Sequence, residues 1–309
     1  MARDGFEDPE LAQGDVLHIA FPFPGRLPAH LIIGIRKCDC RLWFGAAMLT
    51  AMETLQALIF DVDGTLADTE RDGHRRAFNA AFAEAGLPWR WDAALYGELL
   101  AVSGGKERIR FFCERYVPEF LQRPDADAMI RALHAAKTRR YLELVGTGSI
   151  PLQPGVARLM REARAAGLKL AIATTTTYEN VTSLLAASLA PDAASWFAVI
   201  GAGDVVPKKK PAPDIYLWTL ERLQLPPQAC LAFEDSANGL KASLSAGLPT
   251  VVTESEYTTH HDFSGALAVL SDLGEPDRPC VARRGDMHGK TYVDVELLRR
   301  WHAQAISRA

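Results

Sequence analysis

An apolar run, Leu55 and then Ala57 to Phe60, ends directly in Asp61-Val62-Asp63-Gly64-Thr65-Leu66. A near-continuous apolar run of this length suits a strand buried on both faces of a parallel sheet. Side chains alternate along a strand, so Asp61 and Asp63 point one way and Val62 the other. Gly64 lets the chain turn sharply just past the strand end. In open α/β sheets, ligands bind outside the carboxyl ends of the strands. Two acids at that place can hold a divalent metal and do chemistry beside it.

The rest of the chain supplies the sheet. Apolar runs at 168–173, 197–202, 229–233, 250–253 and 266–270 read as strands. Helical patterns at 155–166, 179–189, 215–223 and 237–246 alternate with them. That alternation predicts a doubly wound parallel α/β sheet with right-handed crossovers. Between the first and second strands the pattern is helical throughout, at 75–86, 92–102, 106–116 and 125–145. This insert of about 75–80 residues can carry its own small core. The expected organisation is a core of residues 52–67 and 150–274, an all-helical cap at 68–149 over the strand ends, and a tail at 275–309. The tail is polar and then amphipathic over 293–302, where Val295, Leu297, Leu298 and Trp301 should pack on the core.

Residues 1–51 break the rhythm: Pro22, Pro24, Gly25 and Pro28 interrupt any long element, leaving short strand candidates at 30–36 and 42–44. They are expected to be an extension outside the fold, with Met52 as the natural start just ahead of the first core strand. Cys38-x-Cys40 is half of a zinc-site pattern, and no second Cys/His pair follows at the needed spacing. Five scattered cysteines argue against a disulfide framework and for a reducing, cytoplasmic compartment. A net charge of −4, from 34 Lys+Arg against 38 Asp+Glu, gives no case for nucleic acid or an acidic membrane as partner. No apolar run approaches the ~18 residues of a membrane span. The expected protein is a monomer acting on a small molecule.

Four polar clusters fall at or just beyond predicted strand ends: Asp61/Asp63, Thr174, Lys208-Lys209-Lys210-Pro211 and Glu234/Asp235. In a parallel sheet those ends share one edge, so the clusters should converge. The acids suit Mg²⁺, a hard cation that prefers oxygen ligands. The hydroxyl and a lysine are donors for phosphate oxygens. Singly, each cluster has a plain structural reading: a turn, a Thr cap, a solvated charge run, an acid pair at a helix start. A calcium loop fits poorly, because position twelve after Asp61 is Asp72 rather than Glu.

The order D-V-D-G-T at 61–65, Thr174 after a strand, K-P-A-P-D at 210–214 and E-D-S at 234–236 resembles the haloacid dehalogenase superfamily. The resemblance implies that Asp61 attacks phosphorus and becomes an aspartyl phosphate. Asp63 then protonates the leaving oxygen and later activates water. It implies Mg²⁺ held by Asp61, the Asp63 carbonyl and Asp235, with Glu234 a ligand or just behind one. Thr174 and Lys210 would hold phosphoryl oxygens; of the three lysines, Lys210 adjoins the proline as in the family motif.

Within the superfamily, A-D-T-E-R-D-G-H-R at 67–75, S-G-G-K-E-R-I at 103–109, A-K-T-R-R at 136–140, A-T-T-T at 173–176 and K-K-P-A-P-D-I-Y at 209–216 are similar to CbbY-type sugar-bisphosphate phosphatases. That family implies hydrolysis of xylulose 1,5-bisphosphate, a Rubisco inhibitor formed beside the Calvin cycle. A bisphosphate needs a second anion site. Ser103-Gly104-Gly105 at a helix start offers N–H groups for one, and Lys106, Arg108 and Lys137 add positive charge. Glu70 and His74 are candidates for sugar hydroxyls or the distal phosphate, although His74 could simply cap its helix. Asp68 lies at the hinge, and Thr175 and Thr176 flank Thr174. Other readings are a β-phosphoglucomutase-like mutase, a phosphoglycolate phosphatase, or a non-enzymatic regulator on the same scaffold.

Overall fold

The computed structural model describes residues 54–148 and 150–307. The extension at 1–51, the Met52 start, the Cys38/Cys40 pair and the two short strand candidates lie outside the described residues. The first strand, β1 (Ala57–Phe60), is fully buried. It sits between β2 (Lys169–Ala173) and β4 (Cys230–Glu234), parallel to both, with Phe60 level with Ile172 and Phe233. β3 (Phe197–Gly201), β5 (Thr250–Thr253) and β6 (Ala268–Leu270) extend the sheet in the order β3-β2-β1-β4-β5-β6. The chain runs from β1 out to β3 and then returns to β4 on the other side of β1. The order therefore reverses beside β1, and such a reversal leaves a crevice at the strand ends.

The two faces of the sheet follow the two-residue period. Leu58, Phe60, Leu170, Ile172, Leu231 and Phe233 pack on one face. There they meet α5 (Val156–Ala165), α6 (Tyr178–Ser188) and the C-terminal α9 (Val295–Ile306). Ala57, Ile59, Ala171, Ala173, Cys230 and Ala232 face the other way, onto α7 (Asp214–Leu223) and α8 (Ala237–Ser245). Small residues on that face let the helices lie close. Asp294 caps α9 by accepting from the Leu297 N–H, Trp301 donates to the Asp286 carbonyl within the tail, and Val295, Leu297, Leu298 and Trp301 pack into the core as expected.

One edge departs from expectation. β7 (Ala282–Arg284) adds an antiparallel seventh strand beyond β6. All three of its residues are exposed, so it carries none of the apolar alternation by which a strand is read from sequence. A mixed edge of this kind is common on parallel sheets.

Between β1 and α5 come α1 (Arg75–Glu84), α2 (Ala93–Leu99), α3 (Gly105–Tyr116) and α4 (Ala126–Gly146). A π-helical turn, Glu70–His74, precedes α1. The helices close around their own apolar cluster, in which buried Trp91 lies 4.7 Å from Phe78, 4.8 Å from Phe82 and 5.4 Å from Phe112 between ring centres. Asp92 accepts from the Leu95 N–H to start α2, and Asn79 bonds the Trp91 backbone in both directions. No helix among the described residues is long and apolar enough to cross a membrane.

Trp91 is the keystone of the helical cluster. Trp91→Ala should cost about 3–5 kcal/mol, measured by denaturant unfolding; a loss below about 1 kcal/mol would mean the cluster does not hold the block together.

Candidate active site

Asp61 follows β1 immediately, its N–H bonded to the Phe233 carbonyl of β4 at 3.0 Å. Glu234 closes β4 and Asp235 follows it. Ligand oxygens of Asp61, Glu234 and Asp235 all lie within 4.8 Å of one another, and all three residues are buried. Glycines permit this crowding. A Cβ on Gly64, at φ +86°, would stand 2.1 Å from Asp235 Oδ2, and one on Gly239 would stand 1.8 Å from Glu234 Oε2.

One cation is inserted among these acids. Lys210 Nζ lies 2.7 Å from Asp61 Oδ1 and 2.6 Å from Glu234 Oε1, with its side chain almost wholly buried. Burial disfavours its charge, but Asp61 and Glu234 outweigh that and raise its pKa above the ordinary lysine value. Burial pushes Asp61 up to about 7; Lys210 opposes the shift, and Glu234 and Asp63 reinforce it. Asp235 is also raised well above the carboxylate range, by burial and then by Asp61 and Glu234. Three carboxyls so close hold more negative charge than one lysine balances.

Asp63 is held differently. Its Oδ1 accepts from Thr69 Oγ1 and lies 2.8 Å from His74 Nε2. Burial works against its charge, but His74 and Thr69 dominate and keep its carboxyl well below the usual range. Two carboxylates two residues apart are thus pushed in opposite directions, a pattern that separates chemical roles.

Two cavities open from this edge. The larger, about 290 Å³, is lined by Asp61, Asp63, Lys210, Glu234 and Asp235, and on the helical side by Ser103 and Arg108. The smaller, about 40 Å³, is lined by His74, Arg108, His134 and Lys137 with Gly104 and Gly105. Asp63, Glu70, Arg108 and Thr175 face both. Burial lowers Lys137 to about 8 against the pull of Asp63 and Glu70. Burial, with Lys137 and Lys106, lowers His134 to about 4.

Most of the residues singled out from sequence meet here, with four differences. Lys106 does not line either cavity; its Nζ is 2.6 Å from Asp204, which also binds Lys209. A carboxylate on the core has claimed the charge expected for substrate. His74 does not cap its helix by its side chain, which bonds Asp63 instead. Thr174 lies buried with its hydroxyl accepting from the Thr176 N–H, and its neighbour Thr175 reaches both cavities, while Thr176 lines only the smaller. Asp68 lines neither cavity.

Several lining residues were not anticipated. Ser255, Thr258 and His261 follow β5 and reach the larger cavity. The strand-end logic applied to the other strands would have found them. His134 sits three residues before Lys137 on α4, a spacing that shares a helix face. Tyr96, buried in α2 behind Glu70 and Arg108, lines neither cavity and carried no signal.

A family model described as haloacid dehalogenase-like hydrolase matches residues 55–247. The chain belongs to the haloacid dehalogenase-like hydrolases. It is 52% identical over 249 residues to protein CbbY of Cupriavidus necator, covering 80% of this chain and 97% of that one. Protein CbbY of Rhodobacter capsulatus is 53% identical over 219 residues, covering 71% of this chain and 94% of that one. Among solved structures, CbbY from Rhodobacter sphaeroides with phosphate matches at TM-score 0.65 and 45% identity, over 72% of this chain and 96% of that one. A mutant of that protein in complex with xylulose-(1,5)bisphosphate matches at TM-score 0.64 and 44% identity, with the same coverage. This haloacid dehalogenase-type hydrolase is therefore a phosphatase of CbbY type, with the fold that its strand pattern predicts.

Of the three adjacent lysines, Lys210 is the one between the acids. Lys210→Met leaves buried charge uncompensated and should cost about 3–5 kcal/mol. Lys208→Met, at an exposed position, should stay within about 0.5 kcal/mol. Denaturant unfolding compares them; equal effects would mean Lys210 does not balance the acid cluster.

Proposed function

We propose that this phosphatase hydrolyses a sugar bisphosphate, xylulose 1,5-bisphosphate, with Mg²⁺ and through an aspartyl-phosphate intermediate. The observation that supports the substrate reading is the pairing of the cavity at the acid cluster and Lys210 with a smaller cavity that shares Arg108 with it and adds Lys137. One end suits a reacting phosphoryl group and a cation; the other suits a second phosphate. The relative in Rhodobacter sphaeroides, solved with xylulose-(1,5)bisphosphate, supports the same choice.

The donors fit Mg²⁺. Asp61, Glu234 and Asp235 are all oxygen ligands, and Glu234 Oε2 is buried with no hydrogen-bond partner. Asp61 and Asp235 would hold the ion with the Asp63 carbonyl, and Glu234 would act at or just behind that shell. Bound there, the ion neutralises phosphoryl oxygens and draws the Asp61 and Asp235 carboxyls to their ionised forms.

The chain's own residues then divide the work. Asp61, on the strand end, forms the bond to phosphorus, and Lys210 steadies its carboxylate and a phosphoryl oxygen. Thr175 and the turn begun by Thr174 offer further donors. Asp63 gives a proton to the leaving sugar oxygen and afterwards takes one from the attacking water. The hold of His74 and Thr69 keeps Asp63 ionised, which is the form the second step needs. For the first step it must carry a proton. Residues 68–149 act as a cap that closes the site over the sugar, with 52–67 and 150–274 as the core. Gly104, Gly105, Arg108, His134 and Lys137 line the distal-phosphate end, and Ser103, Glu70 and His74 lie nearer the sugar.

A phosphate-release screen with Mg²⁺ should rank xylulose 1,5-bisphosphate above ribulose 1,5-bisphosphate, 2-phosphoglycolate and β-glucose 1-phosphate. A preference for phosphoglycolate overturns the substrate, and isomerised sugar without phosphate release indicates a mutase. Chelating the metal should abolish release.

Asp61→Asn should lower turnover at least about a thousandfold while binding of xylulose 1,5-bisphosphate, read by calorimetry, persists. Substantial activity in that variant refutes the nucleophile.

A further inference from the structure

Arg108 and Glu70 face both cavities and form an ion pair, but a long one: Arg108 Nη1 reaches Glu70 Oε2 at 3.5 Å through a single contact rather than a two-pronged fork. The Tyr96 hydroxyl lies between them. It donates to Glu70 and accepts from Arg108 Nη1 at 2.7 Å, and the guanidinium lies 5.2 Å from the centre of its ring. Burial and then Glu70 raise the phenol well above its ordinary range, against Arg108, so it stays a donor. One hydroxyl therefore satisfies an acid and a base together. Tyr96 and Arg108 thus meet at one Glu70 oxygen, and the phenol makes the shorter bond to each partner, which keeps the direct ion pair long.

Tyr96 is braced from the core. In the loop after β5, the Tyr257 ring meets the Tyr96 ring edge-on, 6.0 Å between centres. The same ring rests on α2 at Gly97, where a Cβ would stand 3.3 Å from it. The Tyr257 hydroxyl is buried without a hydrogen-bond partner, so the brace acts through the ring. Two residues earlier, Ser255 bonds Thr258 and lines the larger cavity together with Asp235 of the acid cluster. Nearby, Asn238 at the start of α8 donates to the Ala101 carbonyl just beyond α2, at 3.0 Å. The loop thus spans from the acid cluster to the residue that spaces Glu70 and Arg108.

We propose that Tyr96 is a positioning residue for substrate selection, holding Glu70 and Arg108 apart against the bound sugar phosphate, and that Tyr257 holds Tyr96 in place when the cap is seated. This rests on the assignment of the two cavities to one phosphorylated sugar. The selection is made by a residue that touches no substrate.

The test compares kcat/KM for xylulose 1,5-bisphosphate with kcat/KM for para-nitrophenyl phosphate, which needs only the acid end. Misfolding lowers both together and leaves their ratio alone. Tyr96→Phe should lower the ratio at least about tenfold, with the loss in KM rather than kcat. Tyr257→Leu should lower it too, and Tyr257→Phe, which keeps the ring, should lower it less. An unchanged ratio in Tyr96→Phe, or a loss carried by kcat, overturns the inference alone. Wild-type enzyme that hydrolyses para-nitrophenyl phosphate but not the bisphosphate overturns the substrate reading and this inference with it.

Discussion

Everything at the reacting end depends on one buried lysine among three buried acids. Carboxylates at the ends of adjacent strands repel, and burial magnifies the repulsion. Lys210 Nζ, bonded to both Asp61 and Glu234, makes the arrangement tolerable. Tyr216 adds a hydroxyl to Glu234 from α7. What remains is a cluster of carboxyl oxygens facing the cavity, with Asp61 and Asp235 raised by burial and by their acidic neighbours, a donor set of the kind a hard cation prefers. The same crowding that strains the fold therefore prepares the site.

The route by which these groups meet is topological. β1 delivers Asp61, β4 delivers Glu234 and Asp235, and the loop before α7 delivers Lys210. Each comes from a separate part of the chain, and only the parallel sheet makes them neighbours. The reversal of strand order beside β1 leaves the crevice that they line. The helical block supplies the opposite sign of charge, through Arg108 and Lys137, from elements that lie outside the sheet.

The sequence made the sheet edge legible because strand ends obey a simple rule: polar residues that stop a buried apolar run share one edge. Asp61, Asp63, Glu234 and Asp235 were readable that way, while Lys210 was told from Lys208 and Lys209 by the family motif. The rule was not carried to the end of β5, and Ser255, Thr258 and His261 were missed. Partnerships across the cap and core were not legible at all. Lys106 reads as a free cation until Asp204, 98 residues away, is seen beside it. Tyr96 reads as an ordinary apolar position, because its hydroxyl acquires meaning only from Glu70 and Arg108. β7 was invisible because its side chains are all exposed and its pairing rests on backbone groups.

The π-helical turn at Glu70–His74 has a geometric consequence. Thr69 and His74 both bond Asp63 Oδ1, although five residues separate them. In an α-helix, residues five apart point about 140° away from each other. A π-turn closes on i→i+5 and brings such a pair onto one side. The extra residue in this turn works as a spacer that aims two side chains at a single oxygen. Shortening the turn by one residue would swing one of them off Asp63 without changing either side chain, so here the winding of the backbone itself sets how that carboxyl is held.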